Sequence, residues 1–248
     1  MPTPFYHLSL AEAIAQQPSL PPKLRQKIID HWSAFLLGNT APDVQTITHQ
    51  DRRQTHFFDI PIFKGEPPPW ERMFRRYPVL TPWRRLPEEQ AIFLLGYLCH
   101  LRADVVWVQQ IFFPIFGPFA GWQTMKHRLY LHNVLRSYLD YELLPSLPGD
   151  LGKILAEAIP SGWLPFVDDR DLEQWRDFVS RQLLPGASVH TVEVFAARQG
   201  ISPDEYYRLI QSEERLNQEI FQHLPRQTLA AYRQQVIEDS TALLASMG

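Results

Sequence analysis

The 248-residue sequence contains one cysteine, Cys99, which excludes an internal disulfide framework and any cysteine-rich zinc module. Glycine is sparse, at 11 residues, and forms no phosphate loop, dinucleotide fingerprint or Gly-x-Ser-x-Gly elbow. There is no basic excess: 24 Lys and Arg against 27 Asp and Glu leave a formal charge of −3, without an electrostatic footprint for nucleic acid. The basic residues are scattered, so no run of them suits an anionic membrane surface. Met1-Pro2-Thr3-Pro4-Phe5 lacks the basic start and apolar centre of a secretory leader. No uninterrupted apolar run reaches the roughly 18–20 residues of a membrane span. The longest candidate, Ala91 to Phe113, is broken by His100, Arg102, Asp104, Gln109 and Gln110. A cytoplasmic protein with no transmembrane segment is therefore expected, its oligomeric state unknown. His-Asp dipeptides, His-Glu-x-x-His and the Glu-x-x-His of di-iron bundles are also missing.

What is present is apolar bulk and helical periodicity. Hydrophobic residues make up 45% of the chain, including 7 Trp and 15 Phe, enough for a sizeable core. The pattern predicts an all-α fold. Helices are expected over Ser9 to Gln16, from after Pro21-Pro22 to Leu37 with Gly38 as the stop, and from Pro87-Glu88-Glu89 until just before Pro114. A further helix is expected over Trp122 to Leu144. Beyond it, amphipathic helices are expected over Asp168 to Leu183, Val189 to Gln199, Pro203 to His223 and Arg226 to Ala245. Residues 39–69, rich in proline, read as irregular, with Thr55 to Phe63 the one strand-like stretch.

The polar residues that break the apolar pattern carry the chemistry. His100 and Asp104 lie four apart in an apolar helical run, so they share one helix face. Such a pair is costly to bury unless its members satisfy each other or hold a metal. His7 stands at the entry to the first helix, Asp43 follows a Gly-Asn-Thr-Ala-Pro turn, and His56 is flanked by Thr55 and Phe57. Three imidazoles and two carboxylates make a donor set that suits Zn²⁺. His132 falls on a partly apolar helix face, where it reads equally as a cleft residue or a core histidine. Arg136 is either a phosphate clamp or an i,i+4 partner of Asp140. Phe57, Phe58, Trp107 and Trp122 could wall a pocket for an apolar or quaternary-ammonium group, or could be core.

Four separated signatures, over about residues 4–140, resemble the bacterial zinc-dependent phospholipase C family. They are Phe5-Tyr6-His7, Leu36-Leu37-Gly38-Asn39-Thr40-Ala41-Pro42-Asp43, Thr55-His56-Phe57 and Gly96-Tyr97-Leu98-Cys99-His100-Leu101-Arg102-Ala103-Asp104. The resemblance implies an all-helical core at 1–145 with a helical extension at 146–248 packed on it. It also implies a zinc cluster that hydrolyses phosphodiesters, with a phospholipid or a small phosphoester as substrate. Asp43, His56, His100 and Asp104 would bind one zinc, and His7 would join Asp104 at a second. Asp43 would double as general base. A further zinc of the family uses two more histidines and a Glu four residues after the second. Here Trp107-Val108-Gln109-Gln110 has no histidine, and Arg136 stands four residues after His132, so that site looks lost and one or two ions remain. The competing expectation is a non-catalytic helical binding or scaffold protein that retains the fold and a structural zinc.

Overall fold

The apolar run around His100 becomes the central helix. Pro87 precedes it, and Glu88 and Glu89 occupy its positively polarised first turn. The computed structural model describes residues 1–63, 65–184 and 190–247, except the side chains of Arg198 and Gln199. Among them there is no strand, so the expected all-α architecture holds and the strand-like reading of Thr55 to Phe63 does not. That stretch begins at the end of a short helix and continues as loop.

In chain order the helices that frame the site are α1 (Pro4–Ala15), α2 (Pro22–Asp30), α3 (Trp32–Thr40), α4 (Gln45–Thr48), α5 (Arg52–His56), α6 (Pro69–Arg76), α7 (Glu88–Trp107) and α8 (Met125–Leu143). They are followed by α9 (Leu151–Ala156), α10 (Asp169–Arg181), α11 (Thr191–Gln199), α12 (Pro203–Ile210), α13 (Glu213–Leu216) and α14 (Arg226–Met247). Helix α1 starts five residues before the expected Ser9, because Thr3 caps it by accepting from Tyr6 N–H and Pro4 fits its first turn. The helix expected after Pro21-Pro22, up to Leu37, starts at Pro22 and breaks at His31, where the backbone leaves helical angles, giving α2 and α3. The helix expected to start at Trp122 begins at Met125, capped by Thr124. Pro203 to His223 divides into α12, α13 and a wide turn at Asn217–Phe221. Val189, the expected start of α11, lies outside the described residues.

Helix α7 does not end before Pro114. It passes at Val108 into a widened, π-type helix that runs to Phe116. Proline offers no N–H to an α-helical ladder, and the wider turn absorbs that loss. Together they form a 29-residue helix that is long and apolar enough, by length and composition, to cross a membrane. His100, Arg102 and Asp104 still interrupt its apolar run, as the sequence shows. The apolar character is spent inside the protein, since 94% of its most apolar window is buried. A helix that is hydrophobic all round is a core helix when neighbours enclose it. Here α1, α3, α6 and α14 do so.

The closest crossing is α3 on α7, and two glycines make it possible. A Cβ on Gly38 would stand 2.0 Å from the Phe93 carbonyl oxygen, and one on Gly96 would stand 2.3 Å from the Phe35 carbonyl oxygen. Gly38 is therefore a packing residue inside α3 and not the helix stop expected of it; α3 runs on to Thr40. The crossing brings the Asn39–Asp43 turn against the His100 face of α7. One contiguous core runs from Phe5 through Trp107 and Trp175 to Leu244, so buried residues on both sides of residue 145 share it. Trp175 donates from its indole to the Thr40 carbonyl (2.8 Å), and Arg102 on α7 pairs with Asp239 on α14.

Candidate metal centre

Five side chains from four segments converge beside that crossing. His7 comes from α1, and Asp43 from the 3₁₀ turn Ala41–Val44 after α3. His56 ends α5, and His100 and Asp104 lie one turn apart on α7. His7, His56, His100 and Asp104 are buried; Asp43 is 17% exposed and opens onto a cavity. Helix α5 aims its histidine by its two ends. Asp51 caps it by accepting from Arg53 N–H, and Phe57 closes it at a left-handed φ of 60°.

Ligand atoms of His7, His100 and Asp104 lie within 4.8 Å of one another, as do those of Asp43, His56 and His100. Asp104 sits between the two groups. Its Oδ1 faces His7 Nε2 at 3.5 Å, while Oδ2 faces His56 Nε2 at 3.4 Å and His100 Nε2 at 3.8 Å. Asp43 Oδ1 is 3.6 Å from His56 Nε2. The His7 and His100 rings stack with centroids 3.7 Å apart and planes 11° apart. Most of these separations exceed a good hydrogen bond. Accordingly both ring nitrogens of His7, Nε2 of His56, Nε2 of His100 and Oδ1 of Asp104 are buried without a hydrogen-bond partner. Orphaned polar atoms of that kind cost about 1–3 kcal/mol each unless something satisfies them.

Outer hydrogen bonds fix which nitrogens point inward. His100 Nδ1 lies 2.8 Å from the Asn39 carbonyl, which can only accept, so Nδ1 carries the proton and Nε2 presents its lone pair to the cluster. Thr55 Oγ1 donates to the Arg52 carbonyl and lies 3.0 Å from His56 Nδ1, so it accepts there and leaves His56 Nε2 as the lone-pair nitrogen. Burial, reinforced by neighbouring His7, lowers the His100 pKa to about 3; burial and the charge of Arg52 lower that of His56. Both rings are thus neutral at physiological pH, the form that binds metal. Burial alone would raise the carboxyl pKa values. The imidazoles and Arg52 around Asp104 hold its carboxyl well below the usual range, and Arg52 is the neighbour whose charge is permanent. The His56 contact and the His100 field likewise bring Asp43 to about 2. Neutral imidazoles, ionised carboxylates and convergent lone pairs fit Zn²⁺, which takes nitrogen and oxygen donors.

Arg52 is absent from the sequence-derived set. Its Nη2 donates to Asp104 Oδ2 at 2.6 Å and its guanidinium lies 4.5 Å from the Phe58 ring. The signal is its place four residues before His56 on one short helix. Arg52 lines the cavity, about 480 Å³ in volume, as do Asp43 and Arg136.

His132 is in neither group of converging ligand atoms. Its Nε2 accepts from the Trp107 indole at 2.9 Å, and burial, with the charge of Arg136, pushes its pKa well down. Arg136 donates to the Met1 carbonyl and to Asn133 Oδ1, and lies 4.3 Å from the Phe195 ring. The expected partner Asp140 accepts instead from Thr3 and Thr191. Burial raises the Asp140 pKa to about 7 despite those two bonds. Phe57 packs on Tyr77 and Phe166, Trp107 on Tyr6 and Tyr232, and Trp122 on His223. None of these, nor Phe58, lines the cavity.

An all-helical protein with a buried His/Asp cluster at one end of a cavity is the class that fold and site define. A sequence model of the family described as zinc dependent phospholipase C matches residues 6–181. The chain belongs to that family. The match reaches through the end of α10, past the boundary expected at residue 145. No curated protein and no solved structure matches the chain.

Proposed function

We propose that the protein hydrolyses phosphoesters at a one- or two-zinc site held by Asp43, His56, His100, Asp104 and His7. The observation that carries this reading is the set of buried, partnerless atoms of His7, His56, His100 and Asp104 that converge where Asp43 opens to the cavity. Zinc bound there supplies a Lewis acid and a water acidic enough to ionise near neutral pH. The two oxygens of Asp104 face different histidines, an arrangement that suits a bridging carboxylate. Asp43, ionised and facing the cavity, accepts a hydrogen bond from the attacking water and orients it on phosphorus. With a pKa of about 2 it is a weak base, so its role is orientation more than storage of the proton. Arg136, on the cavity wall, holds the phosphate oxygens of a phospholipid or a smaller phosphoester while the alcohol departs in line. In this reading residues 1–145 carry the metal site and 146–248 form a helical extension that closes one side of the cavity.

The alternative, a non-catalytic scaffold with a structural zinc, draws on one observation: Arg52 already occupies Asp104 Oδ2. Metal-stripped and zinc-restored protein, assayed on bis-(4-nitrophenyl) phosphate, 4-nitrophenyl phosphate and short-chain phospholipids, separates the two. Hydrolysis that disappears with a chelator and returns with zinc supports the enzyme. Stoichiometric zinc without turnover of any of these substrates supports the scaffold.

A further inference from the structure

The cavity beside Asp43 has a charge pattern that bears on which phosphoester it takes. Among the described residues that line it, Asp43 is the one acidic side chain, and it already faces His56. Two guanidinium groups line the same space from different helices, Arg52 on α5 and Arg136 on α8. Arg52 offers five N–H donors and commits one to Asp104 in the described hydrogen bonds, with its side chain 23% exposed. A cationic head group is normally recognised by aromatic faces and a nearby carboxylate. Of the three phenylalanine rings that line the cavity, Phe5, Phe178 and Phe195, the last already carries the protein's own cation, with Arg136 4.3 Å from its centre. Gln45 and Thr46 add uncharged donors to the wall. Any bound zinc would add further positive charge on the same side.

We infer that the cavity selects phosphoesters with a neutral or anionic group beside the phosphate and rejects those with a quaternary ammonium, Arg52 and Arg136 together holding the anionic charge. The inference rests on the proposed hydrolase reading in taking this cavity as the substrate's seat. Arg52 has a double part: it donates to Asp104 Oδ2 and offers its remaining donors to the ligand. A guanidinium binds phosphate through two parallel, charge-assisted hydrogen bonds, and each such contact is worth about tenfold in affinity.

The test is calorimetric titration of the full-length protein with glycerol 3-phosphate and with phosphocholine, which share the phosphate and differ in the charge of the group it carries. Both titrations are run on chelator-treated and zinc-loaded protein, with zinc content measured in parallel. The expected result is at least tenfold tighter binding of glycerol 3-phosphate in both states. Arg52→Gln and Arg136→Gln should each weaken it about tenfold and narrow the difference between the ligands. Equal or tighter binding of phosphocholine by the unaltered protein, or no binding of either ligand, overturns the inference without recourse to any variant. Discrimination by a chain that takes up no zinc would sink the hydrolase reading and leave this one standing. Zinc-dependent hydrolysis with equal affinity for both ligands would do the reverse.

Discussion

Two regions of this molecule bury histidine, and they treat it differently. Around α1, α5 and α7, three imidazoles lie with Nε2 atoms aimed at carboxylate neighbours and no hydrogen bond to satisfy those atoms. Around α8, His132 is equally enclosed, but its Nε2 accepts from Trp107 and the residue one turn on is Arg136. Burial holds His100 and His132 neutral alike, so low pKa does not distinguish them. Satisfaction does. A buried nitrogen with a donor aimed at it is a finished structural element, whereas several without partners around two carboxylates form a group that could hold a metal ion.

The comparison breaks most severely at the α3–α7 crossing, which positions the first region and not the second. Gly96→Ala places a methyl group 2.3 Å from the Phe35 carbonyl oxygen, where only backbone movement gives relief. We expect a loss of about 3 kcal/mol by chemical denaturation, with zinc uptake lost as Asn39 and Asp43 move off His100. A Gly96→Ala protein of parental stability and zinc content would contradict that placement. A smaller effect should follow Thr55→Val, which removes the acceptor at His56 Nδ1 while keeping volume. Zinc affinity should fall about tenfold in a competition titration with a chelating dye; an unchanged affinity would mean that Thr55 does not set the tautomer.

Acid sharpens the comparison further. The His100 pKa is about 3 in the folded protein and about 6.5 in an unfolded chain, so below pH 6.5 the unfolded chain takes up protons first. Stability of the metal-free protein is therefore complete above pH 6.5 and declines as pH falls from there towards 3. Denaturant midpoints measured from pH 8 to pH 4 should fall over that range, and His100→Gln should flatten the slope. The smallest effect on zinc is expected from His132→Phe. It should leave zinc content unchanged and cost about 1–3 kcal/mol of stability, because the Trp107 indole N–H is left buried without an acceptor. Loss of zinc from this variant would place His132 in the metal centre.

The sequence shows the first region better than the second for a physical reason. His100 and Asp104 lie on a long helix with a clear start, where four-residue spacing converts directly into a shared face. Ser202 caps α12, its hydroxyl accepting from Glu205 N–H. Arg52 stays hidden because prolines make residues 39–69 read as irregular, so the spacing from Arg52 to His56 carries no meaning until α5 is seen. Gly38 resembles a helix stop because a glycine that ends a helix and one that admits a neighbouring backbone look alike in sequence. Only the α7 partner tells them apart. Pro114 follows the same logic, since a π-type turn that tolerates proline leaves no local signature. Asn133 is a local partner of Arg136, but Met1, which Arg136 also bonds, and Thr3 and Thr191, which bond Asp140, are distant positions that spacing rules do not reach.

The most direct test of the central claim is zinc content per chain by mass spectrometry, on protein purified without a metal-affinity tag and compared with His100→Ala, Asp104→Ala and His132→Phe. The account predicts one or two zinc ions in the parent and in His132→Phe, and their loss from the other two. A parent that takes up no zinc after loading, or a His100→Ala protein that holds it as well as the parent, would contradict the account.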